Sequence, residues 1–324
     1  MTLIAAVRGS NGIAIAADSQ ETCGPHRCAV QKIEPRNDGN LHTLIVGSGN
    51  ADLVDGFIEA FYSALPRAKI RSLHDCKGFV ERTLRGYYRN DVRLSHFKDK
   101  EFRLIVSAAL ETTGEYDVWA TKAMRLSSIG LYELLGIEEA LYNVTVQRML
   151  SPAITIQQAV LAAVYAVTVG KATSHFIDGP ISLALVVPRD ILRERPEFVS
   201  EIEDRLGAYE RHLGGLLLAC ADTTVSPNDL QAHIDGFGSL AKALHRAQLD
   251  TVATDLDNTL NSPIPKVPAG TRIELSASGP TVHYDQPPRP KLPAHYPVGV
   301  RLCACGFSAD DNDVFVAHLN ASRR

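Results

Sequence analysis

The chain has 324 residues, 45% hydrophobic and 22% charged, which is the composition of an ordinary soluble globular protein with length for one large domain or two modest ones. A net charge of −4 and the lack of any basic run give no ground for nucleic-acid binding. No segment approaches the roughly 18 apolar residues of a membrane helix; the strongest stretch, Val160 to Val169, is interrupted by Tyr165 and Thr168 and stopped by Lys171.

The apolar start is short and has no basic residues before it, so no secretory leader is expected. The six cysteines (Cys23, Cys28, Cys76, Cys220, Cys303 and Cys305) match no zinc-finger or ribbon spacing. They read as reduced thiols of a cytoplasmic protein, with no metal and no cofactor expected.

In chain order, Leu3–Val7 and Ile13–Ala17 are apolar runs joined by Arg8-Gly9-Ser10-Asn11-Gly12, a hairpin signature centred on Asn-Gly. Removal of Met1 would leave Thr2 with a hydroxyl and a free α-amine. The hairpin returns Asp18 to Thr2, so a nucleophile and a carboxylate can meet. Residues 29–35 alternate apolar and polar, which predicts a half-buried strand, and His42–Val46 a fourth. Gly47-Ser48-Gly49-Asn50 opens a helix carrying Leu53, Val54, Phe57, Ile58 and Phe61, closed by Pro66. A second helix runs from the N-cap Ser72 to about Asn90.

Strands return at Phe102–Leu110, Tyr116–Thr121 and Arg125–Ile129. A third helix is expected from near Tyr132–Gly136, carrying Leu141, Val144, Val146 and Leu150. A fourth, Ile154–Lys171, is apolar nearly all round and should be buried. Ile181–Val187 is a last strand. Two antiparallel sheets covered by helices on both outer faces would bury every one of these apolar faces. Beyond Pro188, Arg189 to about Ala221 reads as a charged helix with Ile191, Leu192, Phe198, Ile202 and Leu206 as its apolar positions, and Asp229–Leu256 as one or two more. From Asn261 prolines dominate, with short strands between them at Thr271–Leu275 and Val298–Cys303.

The residues at the start resemble the catalytic β-type subunits of the proteasome family, and especially the bacterial proteasome-like peptidase HslV. The likeness lies in Thr2, Gly12, Ala16-Ala17-Asp18 and the run Asp18-Ser19-Gln20-Glu21-Thr22. Lys32, before Ile33, is similar to the family's catalytic lysine, although the Thr22–Lys32 loop is two residues shorter than usual. The resemblance implies an α+β fold, the four-layer αββα sandwich of N-terminal nucleophile (Ntn) hydrolases, over residues 1–188. Residues 189–324 would be a C-terminal extension, helical over 189–256 and Pro-rich, β-containing over 261–324.

It also implies chemistry. A neutral threonine hydroxyl needs a base, and an α-amine with an ordinary pKa of about 7.7–8.0 can serve on the same residue. Lys32 would lower that amine's pKa and orient the hydroxyl, and Asp18 would offset the burial of Lys32. Gly47 would supply a backbone N–H to the oxyanion, with Gly49 as the alternative register. Gln20 and Thr22 would line a cleft in which extended peptide adds as a strand. Gly130-Leu131 and Leu134-Leu135-Gly136 carry no serine where active relatives have one near the third helix.

The expected protein is therefore a threonine peptidase acting on peptide or unfolded protein inside a homo-oligomeric ring or related assembly, with an ATP-driven unfoldase as the partner such relatives use. The alternatives are a non-catalytic structural member of the fold, or hydrolysis of a small amide. Asp255-Leu256-Asp257-Asn258-Thr259-Leu260 resembles the first motif of haloacid-dehalogenase phosphatases, but polar residues precede it where a buried strand is required. Asp310–Asp313 lacks the spacing of a calcium loop. His42, His74 and His96 stand alone, and Trp119 reads as core.

Overall fold

A computed structural model describes residues 2–23, 26–136, 142–143, 146–147, 149–151, 154–260, 272–276, 279–283, 297–299 and 302–303. The chain divides into two units, Met1–Pro263 and Ile264–Arg324.

The first unit mixes helix and sheet. Strands β1 (Leu3–Arg8) and β2 (Ile13–Ala17) form the expected hairpin, in register from Ile4 opposite Ala17 to Arg8 opposite Ile13. A small separate hairpin follows, β3 (Gln20–Cys23) with β4 (His26–Ala29). Next come β5 (Arg36–Asp38) and β6 (Leu41–Gly49), then helices α1 (Ala51–Ala64) and α2 (Leu73–Tyr87), capped by the side chains of Asn50 and Ser72. After α2 the chain makes β7 (Phe102–Leu110), β8 (Tyr116–Lys122), β9 (Arg125–Ser128) and β10 (Tyr132–Gly136). Helix α3 (Ile156–Thr173), strands β11 (Ser182–Val187) and β12 (Asp190–Arg193), and helices α4 (Pro196–Ala221) and α5 (Pro227–Leu260) complete the unit.

The strands make two five-stranded sheets, ordered β10-β1-β2-β11-β12 and β5-β6-β7-β8-β9. Alternation along each strand sends side chains to two sides. Ile4, Ala6, Ile13 and Ile15 of one sheet meet Leu44, Val46, Ile105 and Val118 of the other in an inter-sheet core. Leu3, Ala5, Val7, Leu183 and Leu185 pack instead against α3, and Leu104, Val106 and Trp119 against α1 and α2. Helix α3 is buried as its apolar sequence requires, because Phe198, Val199, Ile202 and Leu206 of α4 cover the side that the sheet does not. Lys171 bonded to Glu203, and Tyr165 to Glu210 at 2.6 Å, fasten the two helices.

Several expected elements are different. The strand over 29–35 is absent: β4 ends at Ala29, the Val30 N–H donates to the Ser19 carbonyl at 2.8 Å, and Ile33 enters the inter-sheet core without strand pairing. Tyr132–Gly136 is not the start of a helix but strand β10, which covers the outer edge of β1. Its side chains alternate as a strand requires, Leu134 towards α3 and Leu135 into the inter-sheet core. Of the third helix, Tyr142 and Val146 are helical and buried against α3; Leu141 and Val144 lie outside the described residues. Ile191 and Leu192 belong to β12, paired with β11, because the charged helix begins only at Pro196. Asp255–Leu260 is the last part of α5, so no strand end exists there for a phosphatase motif.

In the second unit, Arg272–Ser276 pairs with Gly279–His283, and Pro297–Gly299 with Leu302–Cys303. Asp310–Asp313 and Cys305 lie outside the described residues. No helix among the described residues is long and apolar enough to cross a membrane.

Candidate active site

Thr2 leads into β1 and Asp18 leaves β2, so antiparallel pairing brings them to the same end of the hairpin. Asp18 is fully buried. Its Oδ1 accepts from the Leu3 N–H at 2.9 Å and its Oδ2 from the Gln20 N–H at 3.1 Å, so the carboxylate is fixed by backbone that the hairpin itself supplies. Lys32 comes in from the irregular segment after β4. Its Nζ contacts Thr2 Oγ1, lies 3.1 Å from Asp18 Oδ1 and donates to the Gln20 carbonyl at 2.6 Å. Burial pushes the Lys32 pKa below 10.5, against the pull of the Asp18 charge. A lowered ammonium pKa makes proton exchange with a neighbouring hydroxyl or amine less costly near neutrality.

Gly136 closes the far side of Thr2. It has φ +131, and a Cβ there would overlap the Thr2 carbonyl oxygen. Its neighbour Leu135 pairs with Ile4, so β10 sets the backbone position of the nucleophile residue. Ile137, the next residue, lies outside the described residues.

Thr2 and Lys32 open onto a cavity of about 690 Å³ also lined by Gly47 and Gly49. β5 pairs only with Leu41–Thr43 of β6, so among the described residues Leu44–Gly49 has no strand on that edge, and the cavity runs along it. Gly47 has a packing reason to be glycine. A Cβ would stand 2.6 and 2.8 Å from the Val54 methyls and 2.9 Å from Leu104 Cδ2. Gly49, the last residue of β6, has φ +105, and a Cβ there would run into the Glu101 carbonyl oxygen.

Gln20, expected to line the cleft, is placed otherwise. The Gln20 side chain is buried, donates to the Phe176 carbonyl at 3.2 Å and does not line the cavity; its contribution is the backbone carbonyl bonded to Lys32. Thr22 pairs with Arg27 in the β3–β4 hairpin. Glu21 between them does line the cavity, as do Val54, Asp55, Ile58, Glu59 and Tyr62 of α1. Val54 and Ile58 are apolar helix positions already plain in the sequence, and Asp55, Glu59 and Tyr62 lie on α1 at one or four residues from them. His42 is not solitary, since its Nδ1 lies 2.7 Å from Asp190 Oδ1. No group of three or more metal-ligating side chains occurs among the described residues.

The two facing sheets with helices on their outer sides, and a threonine at the head of β1, define a proteasome-like α+β fold. No protein-family model matches the chain and no curated protein matches it. Among solved structures it is similar to Anbu (ancestral beta-subunit) from Yersinia bercovieri, with TM-score 0.56 and 16% identity over 66% of this chain and 96% of that one. It is also similar to the protein in the helical assembly of the Anbu complex from Pseudomonas aeruginosa, TM-score 0.56, 16% identity, 65% and 95% covered. Anbu from Hyphomicrobium sp. strain MC1 gives TM-score 0.51 and 13% identity over 76% and 96%.

These neighbours correct the resemblance drawn from the motifs. Anbu proteins are proteasome-like but a family distinct from HslV and the proteasome β subunits, and identities of 13–16% establish a shared fold alone.

Proposed function

We propose that the chain is an N-terminal threonine peptidase of proteasome-like type, a four-layer Ntn-hydrolase sandwich that does not stop at residue 188 as expected, because β12 completes its first sheet and α4 packs on α3. The observation that supports this most is Lys32, whose ammonium contacts the Thr2 hydroxyl and is held by the buried Asp18. Once Met1 is removed, the freed α-amine of Thr2 accepts the hydroxyl proton as Oγ1 attacks a peptide carbonyl carbon. The developing oxyanion is met by the backbone N–H of Gly47, the leaving amine takes the proton back, and water hydrolyses the resulting ester. Lys32 lowers the amine's pKa by like charge. Extended peptide lies along the open edge of β6 as an added strand, between it and the Glu21–Thr22 segment.

The site operates in a cytoplasmic homo-oligomer; the helical assembly of the similar Pseudomonas protein supports the oligomer. Intact mass and covalent labelling test the function. Purified protein should lack Met1 and take up one equivalent of a peptide epoxyketone, while Thr2→Ala takes up none. Retention of Met1, or no adduct on protein with a free Thr2, would instead indicate a non-catalytic member of the fold.

A further inference from the structure

The cavity beside Thr2 is a trough with α1 as its long wall. Val54 stands against Gly47 at the Thr2 end. Ile58 and Tyr62 continue the same stripe at steps of one helical turn, about 5.4 Å, and the solvent-exposed Asp55 and Glu59 run beside it, each one residue further on. The Tyr62 hydroxyl meets Thr43 Oγ1 at 3.2 Å, which fixes the far end. A side chain entering from Thr2 would therefore meet an apolar stripe with carboxylates beside it.

The charges in the trough are unbalanced. Among the described residues its two cations are already engaged, Lys32 by Asp18 at 3.1 Å and Arg36 by Glu34 at 3.7 Å and by the Tyr62 ring at 4.4 Å. Asp55 and Glu59 have no cationic partner among the described residues, and their i,i+4 spacing makes them repel on the helix. Burial and the nearby Asp52 raise the Asp55 carboxyl above its ordinary range. Both features are unfavourable in the free protein and are relieved by a bound cation.

We propose that Asp55 and Glu59 select substrates with an arginine or lysine on the residue whose carbonyl Thr2 attacks. The proposal rests on the peptidase reading of the site. The methylene stem of such a side chain lies on Val54 and Ile58 while its charged end reaches the carboxylates. An acidic side chain meets like charge, and a leucine fills the apolar wall without engaging either carboxylate.

The test uses the full chain with Thr2 freed through a cleavable N-terminal fusion, and fluorogenic peptides differing only in Arg, Lys, Leu or Glu at the cleaved position. Arg and Lys peptides should be favoured over Leu in kcat/KM by about tenfold, the size expected from two exposed charge pairs, and less so at high salt. In Asp55→Asn/Glu59→Gln that ratio should collapse. A preference for Leu, or a ratio that the double variant leaves unmoved, overturns the specificity while Thr2-dependent cleavage upholds the peptidase function.

A second measurement does not need turnover: fluorescence anisotropy of the same peptides, dye-labelled, on Thr2→Ala protein. Tighter binding of the Arg peptide that the double variant loses supports the role of Asp55 and Glu59 even where epoxyketone labelling fails. Equal binding of the Arg and Leu peptides overturns it.

Discussion

Gly136→Ala is the most informative single change in the protein. At φ +131 an L-residue occupies a region essentially reserved for glycine, which costs about 1–3 kcal/mol. The added Cβ would also overlap the Thr2 carbonyl oxygen and stand 3.1 Å from Leu3 Cα. Neither is a flexible side-chain end, so backbone must move, at about 1–3 kcal/mol for overpacking of this kind. The sum, about 2–6 kcal/mol, corresponds in a unit of this size to a fall in Tm of about 5–20 °C.

Because the atom in the way belongs to Thr2, the displacement also separates its hydroxyl from Lys32. Electrophile labelling should then slow more than the loss of folded protein explains. Gly130→Ala is the control, since nothing lies within 4 Å of a Cβ there and its φ is not positive; it should change stability by less than about 0.5 kcal/mol. Differential scanning calorimetry and labelling rates on folded protein measure the two effects. A Gly136→Ala protein with unchanged Tm and unchanged Thr2 labelling would refute the claim that β10 positions the nucleophile.

Lys32→Met should cost about 3–5 kcal/mol in urea unfolding, because it strips the ion partner from a fully buried Asp18; adding Asp18→Asn should restore part of the loss. Gly47→Ala, pressing on Val54 and Leu104, should cost about 1–3 kcal/mol in the same assay. The His42 imidazole holds the Asp190 carboxyl below its ordinary 3.8. A carboxyl depressed in the folded state contributes stability above its unfolded pKa, and that contribution disappears as pH falls through the folded value. Acid unfolding of Asp190→Asn should therefore show a weaker loss of stability below about pH 4 than wild type; identical acid profiles would remove this pair from the account.

The residues that lie close in sequence carried the most legible part of the site. Sixteen positions separate Thr2 from Asp18, and an Asn-Gly turn between two apolar runs fixes their pairing without help from the rest of the chain. Helices α1 and α2 were equally plain, because their caps Asn50 and Ser72 and their apolar spacing are local properties. Lys32 was found by resemblance, but its expected strand does not exist; the approach of Lys32 depends on Ile33 being drawn into a core made by two sheets. Tyr132–Gly136 suits a helix as well as a strand in sequence, because Leu134-Leu135 fits either period. Its state was settled by the unpaired edge of β1, which lies more than a hundred residues away in the chain.

The turning of Gln20 away from the cavity, and of Asp55 and Glu59 towards it, likewise depends on which elements stand opposite. Sequence by itself determined which groups are available at the amino terminus and the hairpin that joins them. Tertiary structure decided what surrounds that hairpin, because hydrogen-bonding edges and buried faces are satisfied by whichever distant segment reaches them.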